Sequence, residues 1–483
     1  MAASLTTVPG GTVDFSDDQL VELGMLFRGQ ILGPDDPSYE GIRVVENLAI
    51  DRRPGLIIRC SGGADVIDGV NLAREHGMLL AIRAGGHHVA GHGTVDGGLV
   101  LDLREMNGVW VDPANKTVRV QGGATWGQVD RETQVFGLAV PGGAVSTTGV
   151  AGLTLGGGIG WLHRKWGLAC DNLLSAQVVL ASGELVTASE KDNPDLFWAI
   201  RGGGGNFGVV VDFTFRAHEL GPEVALAVVF YDATDGAELM PQWRDFALRA
   251  GDEVTTRAFY WSMPSSDELP PPLQGKDIFG FGALYAGDKQ EGQGIINELR
   301  GLGKPLFDMT DFVPNYRGLQ ASLDPLLTNL HGYWKSMYLD ELNDDALAFI
   351  HERAMARPDP SVLIHVPIMG GATAAVGAAD TAFGDRSAPF MLSIDGGTYD
   401  SSKFAEVRDW VRGSIEMARQ LHGAGGAYLG FSADEAADER VIQQQFGDNL
   451  DRLRSIKKQY DPDNLLRINN NIKPDGATPS LQG

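Results

Sequence analysis

Cysteine is nearly missing. Cys60 and Cys170 are the only two in 483 residues, too few for a disulfide framework, although one bridge stays open. Basic residues are in deficit: 39 Lys and Arg stand against 63 Asp and Glu, a formal charge of −24. A chain this acidic repels phosphate backbones, which argues against nucleic acid as a partner. No apolar run approaches the ~18 residues of a membrane span. The first residues carry neither a basic region nor an apolar stretch, so no signal peptide and a cytoplasmic location are expected. Several motifs are missing too. There is no G-x-x-x-x-G-K-[ST], because Lys304 is followed by Pro305, and no G-x-S-x-G or H-E-x-x-H. These gaps argue against a P-loop hydrolase, a serine-elbow hydrolase and a zinc protease. His87, His88 and His92 lie close together, but four glycines between 85 and 93 keep that segment from forming the helix an i, i+4 metal site uses. No metal site is expected.

What is present in excess is glycine, 64 residues, about twice the usual ~7%. It follows no three-residue period, so collagen is excluded. It clusters at 85–93, 142–160 and 202–208, and more weakly at 122–127. Backbone of this kind adopts φ > 0 or approaches something closely, and its successive N–H groups form anion-binding concavities. Tight turns explain one such cluster; four within 130 residues point to a large phosphate-bearing ligand. Gly203-Gly-Gly205-Asn-Phe-Gly208 fits G-x-G-x-x-G only formally. A helix is expected before it and a strand after it, the reverse of a dinucleotide fingerprint.

Apolar patterning predicts a helix over 16–33 capped by Ser16, with Leu20, Leu23, Leu26 and Phe27 on one face. A β-α-β stretch follows, built of a strand at 55–60, a helix at 62–76 and a strand at 78–83. Further strands are predicted at 98–103, 117–121 and 209–215, with a hairpin over 174–187 turning at Ser182-Gly183 and a short helix at 194–201. Beyond about 218 glycine thins out. Helices near 237–250, 291–301, 341–355 and 402–421 alternate with strands at 224–230, 256–263, 278–285, 331–339, 362–369 and 388–396. This predicts an α+β region, an antiparallel sheet covered by helices on one face.

Arg83-Ala-Gly-Gly-His87-His-Val-Ala-Gly91 resembles the R-x-G-G-H-x-x-x-G loop of the berberine bridge enzyme-like FAD-linked oxidases, within the vanillyl-alcohol oxidase/p-cresol methylhydroxylase superfamily. Four more segments match in order: Gly149–Gly160, Gly167–Asn172, Asp195–Gly208, and Tyr460–Asn464 with Arg467–Ile472. The resemblance covers about 45–474. It implies a two-subdomain PCMH-type FAD-binding domain over 1–217, a substrate-binding domain over 218–420, a segment 421–474 returning to the FAD domain, and a loose tail 475–483. FAD contacts are then expected at Arg83, Gly85, Gly86, His88 and Gly91, which would cradle the pyrophosphate. Contacts beside the ring are expected at Val145, Ser146, Gly149, Gly152, Gly157 and Gly160, and others at Gly208, Val210, Asn469 and Asn471. In the family the G-G-H histidine is bonded to the flavin 8α-methyl; here that is His87, and a nearly neutral imidazole meets the requirement. Val145 stands where many members carry a second, cysteinyl link, so attachment through His87 alone is implied.

By the same resemblance Tyr428, in Gly426-Ala-Tyr428-Leu-Gly-Phe431, lies on a strand facing the flavin. It would act as a base if its pKa were lowered; a buried core tyrosine is the alternative. Asp395 shares a strand face with Met391 and Ser393, opposite Phe390, Leu392 and Ile394, and would assist Tyr428 or end the strand in solvent. Lys335, among Tyr333, Trp334 and Tyr338, would steer substrate or be paired structurally. The implied activity is an FAD-dependent oxidase that moves hydride from a CH–OH carbon of a sugar, alcohol or hydroxylated metabolite to flavin N5. Dioxygen reoxidation then gives hydrogen peroxide. An amine-oxidising or natural-product tailoring flavoenzyme, or a flavin-binding protein without turnover, are the alternatives.

Overall fold

Leu56, Ile57 and Ile58 form an unbroken apolar run, the pattern of a strand buried on both faces. In the computed structural model, Leu56–Arg59 leads through helix Gly63–Glu75 into strand Leu80–Arg83. The structure describes residues 3–475 except 9, 268, 314, 325–327, 424–425 and 434–438. The expected β-α-β unit is present, but its two strands are not neighbours. Leu99–Asp102 inserts between them, parallel to both, and Gln30–Leu32 adds antiparallel at the edge. The glycine loop 84–93 therefore leaves the carboxyl end of a parallel strand, where α/β sheets bind ligands.

A second, all-antiparallel sheet runs in the order Leu185–Ser189, Leu173–Val179, Val209–Arg216, Thr117–Gln121, Val109–Asp112. The predicted hairpin turns at Gly183, whose φ of +86° suits glycine. Helices Trp126–Thr133, Pro194–Ala199 and Leu450–Tyr460 bury Trp126, Leu196 and Leu453 in one core with this sheet.

The third sheet has seven antiparallel strands, in the order Phe307–Asp308, Ala225–Asp232, Asp277–Tyr285, Val254–Ser262, Leu363–Pro367, Phe390–Thr398, His331–Leu339. Two-residue alternation divides its faces. Phe390, Leu392 and Ile394 pack with helices Gly236–Arg249, Lys289–Arg300, Asp344–Met355 and Phe404–His422. Met391 and Asp395 look the other way, toward the first two sheets.

Two expectations need correction. The first helix spans Asp17–Leu26, not 16–33, although Ser16 caps it with Gln19 as a capping box. The Asp65 carboxylate takes the N–H groups of Arg28 and Gly29, and a Cβ on Gly29 would fall 1.8 Å from the Arg59 carbonyl oxygen. This tertiary contact ends the helix, leaving Leu26 exposed and Phe27 buried. The Tyr428 segment is not a strand. The Ser336 hydroxyl donates to the Tyr428 carbonyl and accepts from its N–H, and Leu429–Phe431 closes a single 3-10 turn. Residues 476–483 of the expected tail lie outside the described residues.

Candidate active site

The glycine loop is braced from behind. Arg83 is 1% exposed and donates to the carbonyls of Gly93, Ile42 and Arg43. Each guanidinium nitrogen is hydrogen-bonded to a carbonyl, so Arg83 shapes the loop, and it does not line the cavity. Gly91 (φ +70°) is set by the approach of Ile50, which a Cβ would meet at 2.6 Å. The backbone N–H groups of Gly85 through Val89, by contrast, donate to no described residue. A run of five unpartnered backbone donors is what an anion-binding nest is made from.

The second glycine cluster presses against this loop. A Cβ on Gly85 would lie 2.5 Å from the Gly149 nitrogen, and one on Gly149 would lie 2.4 Å from the Gly85 nitrogen. Any side chain at either position would part the loops. Gly152 has nothing within 4 Å of where its Cβ would stand, so the helix Val150–Leu155 presents bare backbone there.

These loops and the inner face of the seven-stranded sheet enclose a cavity of about 490 Å³. It brings together Gly85, Gly86, His87, His88, Val145, Gly149, Gly152, Gly208, Val210, Asn469, Asp395 and Tyr428. Arg83, Gly91, Ser146, Gly157, Gly160 and Asn471 do not line it. Ser146 is held by Asp324 and by the Gln320 carbonyl. Gly157 (φ +112°) accommodates Phe383, and Gly160 lies against the carbonyls of Gly142 and Gly143. Lys335 is also apart. It pairs with Ile394 across the sheet and alternates with Tyr333 and Met337 on the helix-covered face. Cys60 and Cys170 are buried free thiols and neither lines the cavity.

Burial lowers the His87 pKa, against the opposing pull of Glu46, Asp324 and the Thr147 carbonyl. Its imidazole is thus neutral at physiological pH. His88 is taken up by the loop: its Nδ1 accepts from the Ala90 N–H and its ring stacks on His92 at 4.1 Å. Burial pushes its pKa to about 4. The Tyr428 phenol moves opposite to what a base requires. Burial pushes it up to about 12, although backbone N–H groups of Gly158 and Ile159 pull it down.

Three cavity residues escaped the sequence reading. His365 sits at the centre of Leu363–Pro367, its Nε2 3.2 Å from Asp395 Oδ2. The Ser393 hydroxyl donates to Asp395 Oδ1 at 2.6 Å, so two groups orient one carboxylate. Arg257 lies over the Trp161 ring at 4.4 Å. Asn47 clamps loop to sheet: its Nδ2 donates to the carbonyls of Val89 (2.6 Å) and Gly332 (2.9 Å), and its Oδ1 accepts from the Gly332 N–H. Alternation on the strands could have flagged Arg257 and His365 as polar residues on an inward face. Nothing local marks Asn47, whose Gly332 partner lies 285 residues away.

A glycine-floored nest facing an aromatic, carboxylate-bearing sheet is the architecture of a flavin-dependent oxidoreductase. The family model described as FAD binding domain matches residues 54–189, and that described as Berberine and berberine like matches 427–473. An uncharacterised FAD-linked oxidoreductase of Bacillus subtilis (strain 168) is 30% identical over 92% of this chain and 97% of its own. The (R)-6-hydroxynicotine oxidase of Paenarthrobacter nicotinovorans is 30% identical over 93% and 98%. Among solved structures, 6-hydroxy-D-nicotine oxidase from Arthrobacter nicotinovorans superposes with a TM-score of 0.82 at 26% identity, covering 93% of this chain and 98% of that one. The chain belongs to the berberine-bridge-enzyme-like family of FAD-linked oxidoreductases. FAD is its cofactor, and the N–H nest, the Gly85–Gly149 contact and the unpartnered Oδ1 of Asn469 fit it. Among the described residues no helix is long and apolar enough to cross a membrane.

Proposed function

We propose an oxidase that carries FAD on His87 and oxidises a CH–OH carbon of a small molecule, with dioxygen as electron acceptor. Residues 1–217 and 421–474 form the cofactor half and 218–420 the substrate half. When bound, FAD supplies the hydride acceptor, and dioxygen takes its electrons to give hydrogen peroxide. The Gly85–Val89 nest and Gly149, Gly152, Gly208, Val210 and Asn469 hold the cofactor. The neutral His87 offers the unprotonated nitrogen that covalent attachment needs. The observation that carries this reading is one cavity with His87 on its glycine floor and Asp395 on its sheet wall.

Asp395, held by Ser393 and His365, accepts the substrate hydroxyl proton. Tyr428, its phenol raised by burial, orients the substrate, which leaves it a positioning residue. Lys335, on the far face, has no part. A second reading, oxidation beside nitrogen, is favoured by the relative named (R)-6-hydroxynicotine oxidase. Peroxide release from the purified holoenzyme, across sugars, alcohols, hydroxylated polyketides and cyclic amines, separates the two. Turnover confined to the amines would replace the CH–OH reading, and silence throughout would leave a flavin carrier.

A further inference from the structure

The Arg257 guanidinium makes no hydrogen bond to a described residue of its own sheet. Its cross-strand partners are Gly282 and Pro367, neither with a polar side chain. A Cβ on Gly282 would meet Trp161 at 3.1 Å, so the glycine lets Trp161 slide beneath the guanidinium. Phe259 and Trp261 flank the cavity on the same strand face. No described residue makes a hydrogen bond or ion pair with the Arg257 side chain, and its Nε is shut off from solvent without a partner. Burial lowers its pKa to about 10, so it stays charged at neutral pH, with Asp395 as the anion in electrostatic reach. That carboxylate already serves Ser393 and His365. A desolvated cation needs a close anion or strong acceptors, and the protein provides neither in contact.

We propose that Arg257 receives a delocalised oxyanion of the substrate, a carboxylate or an ionised phenol or enol on a flat apolar body. This rests on reading the cavity as the substrate site and narrows the substrate class. The planar guanidinium fork suits such a two-oxygen or resonance-spread anion. The aromatic walls suit the flat body. Trp161 keeps the fork oriented from below. Asp395 stays available for the hydroxyl to be oxidised, so the substrate is an acidic hydroxy compound rather than a neutral oligosaccharide.

The test uses the holoenzyme, reading flavin absorbance difference spectra during titration with sodium benzoate, with 4-nitrophenolate read by tryptophan quenching, and with benzyl alcohol as the neutral control. Saturable binding of at least one anion, at least tenfold tighter than benzyl alcohol, is expected. Benzoate alone or 4-nitrophenolate alone would identify which oxyanion source the site takes. Arg257→Met should weaken anion binding roughly tenfold to a hundredfold and leave benzyl alcohol unchanged, with Arg257→Lys between the two. Flavin content and melting temperature establish that each variant is folded; if Arg257→Met loses flavin, the Arg257→Lys comparison decides. Equal binding of anion and alcohol, no saturation by either anion at millimolar concentration, or unchanged affinity in the folded variants would overturn the proposal. A preparation that holds no flavin would instead defeat the reading of the cavity itself.

Discussion

At the scale of single residues, the site depends on what burial does to each titratable group. It lowers the pKa of His87, favouring the neutral imidazole, and it raises that of the Tyr428 phenol, the wrong way for a base. The expected division of labour is therefore uneven. Asp395→Asn should lower kcat by roughly 10²–10⁴ while leaving bound flavin unchanged. Tyr428→Phe should mainly raise KM. A kcat loss in Tyr428→Phe as large as that in Asp395→Asn would return the base role to the tyrosine. Asp395 and Tyr428, singled out in the sequence as candidate catalytic groups, both line the cavity, because strand alternation and a family motif are local signals. It missed His365, which has no motif, and it placed Arg83 on the ligand, because a motif position does not reveal which way a guanidinium turns.

At the scale of elements, two buried ionisable groups hold the cavity's frame. Lys457, fully buried on helix Leu450–Tyr460, donates to Asp461 at 2.6 Å and to the carbonyls of Asn206 and Leu466. It thereby fastens the returning C-terminal segment to the 202–208 glycine loop. Lys457→Met would leave Asp461 buried and unpaired, a cost of about 3–5 kcal/mol, read as a lower urea midpoint. Asp130, on helix Trp126–Thr133, accepts from Gln320 Nε2 at 3.1 Å, and the Gln320 carbonyl holds Ser146 beside the cavity. Burial raises the Asp130 carboxyl to about 7. The folded chain thus holds this proton more tightly than the unfolded one. Its contribution to stability is full below pH ~4 and is lost as pH rises through about 7. Asp130→Asn should be more stable than the parent at pH 8, by on the order of 4 kcal/mol, with the difference closing toward pH 4. A constant difference across that range would contradict the raised carboxyl. The elements themselves were largely legible, since the hydropathy period is local. The exceptions were set from a distance: the first helix is cut short by Asp65 and Arg59, and the Tyr428 segment is tied down by Ser336.

At the scale of the whole molecule, the glycine surplus has one explanation and one limit. It marks the half of the chain that cradles FAD, because close backbone approach and bare N–H groups require it. The half proposed to take substrate is built from ordinary strand alternation, and Arg257, His365 and Asp395 reach the cavity from three of its strands. Asn47 joins the halves through Val89 and Gly332, and its removal should loosen loop against sheet. Asn47→Ala is expected to lower the melting temperature and raise KM more than it lowers kcat. An effect confined to kcat would place Asn47 in the chemistry instead. The most direct test of the central claim is tandem mass spectrometry of the tryptic digest of the yellow protein. FAD is expected on the peptide 84–104, localised to His87, and absent from His87→Ala. Flavin that dissociates fully on denaturation, or that is found on any other residue, would contradict it.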